Sequence, residues 1–200
     1  MEVVVSTRNK DKFKEITRIL QDADIKTLDL DGFPQAPEVE EDGNTFADNA
    51  SKKALIIAKV TKRLTVADDS GLEVAFLNGA PGVYSARFSG EGATYQSNNE
   101  KLLDSLKDVP REKRDARFVC CVAIADENGL IDIVEGECKG FIDTKPSGEN
   151  GFGYDPLFIS PEYDKTFAQL EPEQKNKISH RAKAFAQAKE VVLAYIKSNY

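Results

Sequence analysis

The 200-residue sequence lacks the marks of several large functional classes. No apolar run approaches the roughly 20 residues that a membrane-crossing helix needs. The N-terminus passes from Met1-Glu2 straight into Val3-Val4-Val5, without the basic stretch and apolar segment of a secretory leader. Cysteine is scarce: Cys120, Cys121 and Cys138 are an odd set with no framework spacing, so a reducing, cytoplasmic setting without disulfides is expected. Cys120 and Cys121 adjoin in an apolar stretch. Neighbouring strand residues point to opposite faces, which suits buried strand positions better than a metal knuckle. His180 is the only histidine, and one imidazole without a cysteine cluster argues against a zinc site. No Gly-x-Ser-x-Gly elbow is present, which speaks against a serine hydrolase. Basic excess is missing as well. The formal net charge is −7, so a nucleic-acid partner is disfavoured, and an anionic ligand would need clustered lysines or a bridging cation.

What is there describes a globular chain, with 40% hydrophobic and 30% charged residues. Val3-Val4-Val5-Ser6 reads as a buried strand, Thr7 to Lys12 as a polar loop, and Phe13, Ile16, Ile19 and Leu20 as the stripe of a helix. Residues 25–30 read as a second strand, and residues 32–44, with Pro34 and Pro37, as a loop. Residues 45–60 form the clearest helix, with Phe46, Ala50, Ala54, Ile57 and Ala58 on one face. Leu64 to Ala67 reads as a buried strand ending in a turn at Asp68-Asp69-Ser70-Gly71. A helix over 95–106 follows, then a strand over 117–125, a hairpin turn at Asn128-Gly129 and return strands over 130–141. Gly148 to Pro156 is glycine-rich and reads as a loop, and Ser179 as the N-cap of a last helix. Early strand–helix alternation with a central hairpin predicts an α/β protein with a mixed sheet, without repeats or a linker.

Five segments could carry chemistry, each with a plainer alternative. Ser6-Thr7-Arg8-Asn9-Lys10-Asp11-Lys12 joins a buried strand to a helix start, where free backbone N–H groups and lysines suit an anion; it is otherwise a solvated basic first turn. Glu38-Val39-Glu40-Glu41-Asp42-Gly43 packs four carboxylates into five positions, as a magnesium site or a surface acidic loop. Asp68-Asp69-Ser70-Gly71 places carboxylates at a strand end, where one could hold a cation or activate water, or form an ordinary turn. Gly151-Phe152-Gly153-Tyr154-Asp155-Pro156 offers close backbone approach and a stacking face, or aromatics plugging the core. Lys175-Asn176-Lys177-Ile178-Ser179-His180-Arg181 sets donors at a helix start that could read base carbonyls, although a lone histidine is more often structural.

Taken in order, these segments resemble the inosine triphosphate pyrophosphatase family, the Ham1-like or RdgB-like non-standard purine nucleotide pyrophosphatases. Gly79-Ala80-Pro81-Gly82-Val83-Tyr84-Ser85-Ala86-Arg87 and Asn49-Ala50 with Lys53-Ala54 add two further matching blocks, so the likeness runs through nearly the whole chain. The resemblance implies hydrolysis of ITP, dITP and XTP to the monophosphate and pyrophosphate, with magnesium. It also implies a homodimer, no nucleic-acid or membrane partner, and a single domain over residues 1–200. That domain is expected as an elongated mixed sheet flanked by helices, in two lobes with the active-site cleft between them. Carried over residue by residue, it makes Asp69 the water-activating carboxylate and a metal ligand. Glu40 is the second metal carboxylate, with adjacent Glu41 not separated from it by the motif. Thr7, Arg8, Asn9, Lys10, Asp11 and Lys12 become the triphosphate loop, joined by Lys53 and Ser70. Phe152, Gly153, Tyr154, Asp155, Lys175, His180 and Arg181 become the nucleoside pocket. Arg8 departs from the small residue common in relatives.

Overall fold

The computed structural model describes residues 1–21 and 25–199. Among them, strands β1 (Glu2–Val5), β2 (Lys26–Leu28), β3 (Thr65–Val74), β4 (Asp115–Asp126), β5 (Gly129–Ile142), β6 (Phe158–Ser160) and β7 (Lys165–Thr166) form one seven-stranded sheet. Its order is β2-β1-β3-β4-β5-β6-β7. β1 pairs in parallel with β2 and β3, whereas β5, β6 and β7 pair antiparallel, so the sheet is mixed as expected. Helices α1 (Lys10–Leu20), α2 (Phe46–Thr61), α3 (Tyr95–Ser105), α4 (Pro172–Ile178) and α5 (His180–Asn199) complete the α/β fold.

The chain divides into two compact units. The first comprises Met1–Asp69, Cys120–Gly136 and Arg181–Tyr200. Its core packs Val3 and Val5 of β1, Ile16 and Leu20 of α1, Val122 of β4 and Phe185 of α5. The second comprises Ser70–Val119 and Glu137–His180, around Leu72, Leu102, Phe118, Phe158 and Phe167. All three cysteines are buried, which for Cys120 and Cys121 is the expectation from their apolar stretch.

Local chemistry explains most boundaries. Asn9 caps α1 by accepting from the N–H groups of Asp11 and Lys12. Thr45 caps α2, which ends at Lys62 in the left-handed region (φ 52°) with its N–H on the Ala58 carbonyl. Thr94 and Ser97 form a reciprocal capping box at the start of α3. The second strand is shorter than expected, and α4, opened by Pro172, was not foreseen in the polar stretch before His180.

The expected turn at Asp68-Asp69-Ser70-Gly71 is replaced by strand. β3 runs unbroken for 10 residues through all four positions. It lies between β1 and β4 in the sheet order, but β1 pairs with it at Thr65 and Val66, so Asp68 to Gly71 run on as strand past the end of β1. The carboxylates that break an exposed strand are tolerated here because cations meet them.

Candidate active site

In the first unit the charges converge on the end of its stretch of β3. Asp68 and Asp69 are only 2% and 5% exposed. Burial of a carboxylate is costly unless it is paired. Lys12, from the first turn of α1, places Nζ 3.1 Å from Asp68 Oδ2. Arg181, from the start of α5, approaches the same oxygen with Nε at 3.7 Å and donates through Nη1 to Glu15 at 2.6 Å. Burial alone would raise the Asp68 carboxyl. Lys12, Arg181 and Lys53 outweigh it and hold the group well below the usual carboxylate range. The Lys12 ammonium, although desolvated, is held above its ordinary value by Asp68.

Asp69 has the opposite character. Burial pushes its carboxyl up and the charge of Glu41 adds to that, against the opposing pull of Lys53, Lys12 and a hydrogen bond from Asn49. Asn49 Nδ2 donates to Asp69 Oδ2 at 2.9 Å, while Asn49 Oδ1 accepts from the Gly43 N–H at 2.7 Å. One buried amide therefore ties the acidic loop to the carboxylate. The room is tight: a Cβ on Gly43 would stand 2.7 Å from Asn49 Oδ1. Lys53, one helical turn beyond Asn49 on α2, donates to Glu41 and, at 2.6 Å, to the Asp68 carbonyl.

The acidic loop thus separates its two candidate ligands. Glu41 is partly buried and joined to Lys53, whereas Glu40 is exposed. In the loop before α1, Thr7 Oγ1 accepts from the Asn9 N–H, and Arg8 donates to the Ala36 carbonyl at 2.8 Å. Lys10 and Asp11 are exposed. The free N–H groups expected at this helix start are fewer than the sequence suggests, because Asn9 Oδ1 already takes those of Asp11 and Lys12.

The second unit builds a different cluster. Gly151 and Gly153 adopt positive φ (73° and 64°), which bends the chain around Phe152. Asp155 pins this turn: its Oδ2 accepts from the Phe152 N–H at 2.9 Å and from Lys175 Nζ at 2.7 Å. A Cβ on Gly151 would meet that same oxygen at 2.1 Å. Lys175 Nζ also lies over the Phe152 ring, 5.1 Å from its centroid. Tyr154 is buried in the core, with its hydroxyl donated to the Ser85 carbonyl at 2.8 Å. His180, 3% exposed, stacks on Phe118 at 4.6 Å and 12°. Ser70 directly follows Asp69 on β3 and begins this unit.

Residues 3–191 match the model of the Ham1 family. The chain belongs to that family. Among its Ham1-like relatives, a dITP/XTP pyrophosphatase of Desulforamulus reducens is 54% identical, over 96% of each chain. Another, from Geobacter sulfurreducens, is 50% identical over 94% of each. A solved HAM1 protein from Coxiella burnetii superposes with a TM-score of 0.87 at 40% identity, covering 97% of this chain and 99% of that one. The Staphylococcus aureus Ham1 protein gives 0.85 at 38% identity over the full length of both.

Two residues of this Ham1-family chain escaped the sequence reading of the site. Asn49 falls in a matching block but drew no role. Its signal was a pair of polar residues, Asn49 and Lys53, set four apart within the apolar face of α2. Glu15, the partner of Arg181, left no signal, since an acidic residue on an amphipathic helix reads as solvated.

Proposed function

We propose that this Ham1-family protein hydrolyses the triphosphates of non-standard purines, ITP, dITP and XTP, to the monophosphate and pyrophosphate. The observation that carries the reading is Asp69. It is a buried carboxylate with a raised pKa, oriented by Asn49, in a cluster that also holds Lys12, Lys53 and Glu41. A general base works best with a pKa moved toward the working pH.

Asp69 accepts a proton from a water as that water's oxygen bonds to the α-phosphorus. The α–β anhydride bond breaks and its electron pair leaves with pyrophosphate. Lys12 and Lys53 balance the charge that gathers on the phosphate oxygens. Thr7, Arg8, Asn9, Lys10, Asp11 and Ser70 complete the set assigned to the triphosphate. Asp69 with Glu41 fits magnesium, which takes one or two protein carboxylates and completes its shell with phosphate and water oxygens. Held there, magnesium would supply charge neutralisation and a polarised water. Glu40 is the alternative second ligand.

The nucleoside falls to Phe152, Gly153, Tyr154, Asp155, Lys175, His180 and Arg181. Phe152 offers a stacking face, while Tyr154 and Asp155 brace its turn. Donors from His180 and Arg181 suit the 6-carbonyl of hypoxanthine and xanthine and mismatch the 6-amine of adenine. The family likeness carries with it a homodimer in the cytoplasm, with neither nucleic acid nor membrane as partner. Among the described residues no helix is long and apolar enough to cross a membrane.

A panel of nucleoside triphosphates with magnesium and pyrophosphate detection tests the reading. Pyrophosphate from ITP, dITP and XTP at rates far above those from ATP is the expected result. Preference for pyrimidine or adenine nucleotides, or binding without product, refutes it.

A further inference from the structure

We propose that Tyr95 is a base-contact residue, whose ring stacks on the purine beside Phe152 and whose contact the motifs of the sequence do not mark. The inference rests on the function proposed above and adds a residue to its nucleoside end. Tyr95 opens α3, and its ring centroid lies 6.0 Å from that of Phe152 at an interplanar angle of 34°. Rings splayed in this way form an open angle rather than a closed stack. Tyr95 remains 46% exposed, so a further aromatic surface can still reach it.

The placement is fixed rather than incidental. The Thr94–Ser97 capping box holds the first turn of α3 through Ser97 N–H to Thr94 Oγ1 at 3.1 Å and Thr94 N–H to Ser97 Oγ at 2.9 Å. One turn further on, at the i+4 position that shares a face with Tyr95, Asn99 Nδ2 donates to the Gly153 carbonyl at 3.0 Å. α3 is therefore fastened to the glycine turn at the residue next to Phe152, and Tyr95 is carried to that ring by the same helix face. Lys175 over Phe152 and the Asp155 pin hold Phe152 and its turn in place. Two aromatic rings, one fixed by a pinned turn and one by a capped helix, make a platform that accepts any purine and orders it at low entropic cost. Selection between bases is left to hydrogen-bonding groups elsewhere.

The test compares Tyr95→Ala and Tyr95→Phe with the parent protein in pyrophosphate release from dITP. Inhibition by inorganic tripolyphosphate, which has no base, is measured alongside. Loss of base stacking should raise KM for dITP about tenfold in Tyr95→Ala, with kcat within about twofold. Tyr95→Phe should restore KM, and tripolyphosphate inhibition should be unchanged in both. Because the chain contains no tryptophan, Tyr95→Trp adds a single indole whose fluorescence IMP should quench on binding. An unchanged KM in Tyr95→Ala, a parallel loss of tripolyphosphate inhibition, or an indole blind to IMP overturns the proposal while leaving the hydrolase intact. A parent protein that releases no pyrophosphate from dITP overturns the functional reading itself.

Discussion

The two units solve opposite problems with buried polar groups. The first buries charge against charge: Asp68 faces Lys12 and Arg181, Lys53 faces Glu41, and Arg181 also faces Glu15. The second buries aromatic surface and admits one tightly held pair, Lys175 with Asp155, among Phe152 and Phe167. A set of cations already balanced by carboxylates can exchange partners with an arriving polyanion at modest cost, since each phosphate oxygen replaces a charge already present. Aromatic walls carry no net charge and suit a flat, neutral ring. The difference teaches that buried polar groups can be satisfied in two ways in one chain, by a network of opposed charges or by one ion pair set among aromatic rings.

The largest effect should come from removing the centre of the charged cluster. Asp68→Ala strands Lys12 and Arg181 in a buried place, and breaking such a pair costs roughly 3–5 kcal/mol. Denaturant unfolding reads this directly. The folded pKa of Asp68 is depressed, so its stabilisation is complete above the unfolded value of about 3.9 and is lost as pH falls below it. The variant should therefore show a flatter acid limb than the parent. An unfolding free energy within 1 kcal/mol of the parent would mean that the cluster is not a balanced set, and the contrast with the second unit would fail.

Next comes the chemistry. Asp69→Asn keeps the size of the side chain and an acceptor for Asn49 but removes the base. Turnover of dITP should drop on the order of a hundredfold or more at little change in stability. Retention of near-parent turnover with magnesium would take the base away from Asp69. In the second unit, His180→Ala should lower the ratio of ITP to ATP turnover by roughly tenfold, if its donors read the 6-carbonyl. Its stacking on Phe118 gives a competing outcome: stability falls and the ratio stays. That result would make the imidazole part of the aromatic wall and would sharpen the contrast between the units.

The sequence displayed the fold well where periodicity and caps were strong. The valines of β1, the α2 face beginning at Phe46, the Asn128-Gly129 hairpin and the mixed sheet are all there to be read. It misled at Asp68-Asp69, because an Asp-Asp-Ser-Gly string carries turn statistics, whereas the place of β3 inside the sheet and cations from α1 and α5 decide the matter. Those cations lie more than fifty residues away in either direction, beyond any local pattern. Likewise, the string Glu40-Glu41 says nothing about which side chain turns toward α2. Tyr95 had no motif at all, and its approach to Phe152 goes with the Asn99–Gly153 bond, a contact between residues 54 apart in the chain that no local pattern marks.

The smallest effect is the finest test of the charged unit. Glu41 touches Lys53 and adds its charge to the field around Asp69, while Glu40 stands in solvent one residue away. Glu41→Gln should release Lys53, let the Asp69 carboxyl settle downward, and raise the magnesium concentration needed for half-maximal turnover several-fold. Glu40→Gln, at an exposed site away from such features, should stay within about 0.5 kcal/mol of the parent in stability, and its magnesium dependence should hardly move. Magnesium titrations of both variants at fixed dITP separate them. If Glu40→Gln were the more impaired, the acidic loop would have to swing its other carboxylate toward Asp69 when substrate binds. The Asn49 tether at Gly43 would then be the pivot of that movement, because it fixes the loop two residues beyond Glu41 and leaves Glu40 and Glu41 to exchange places.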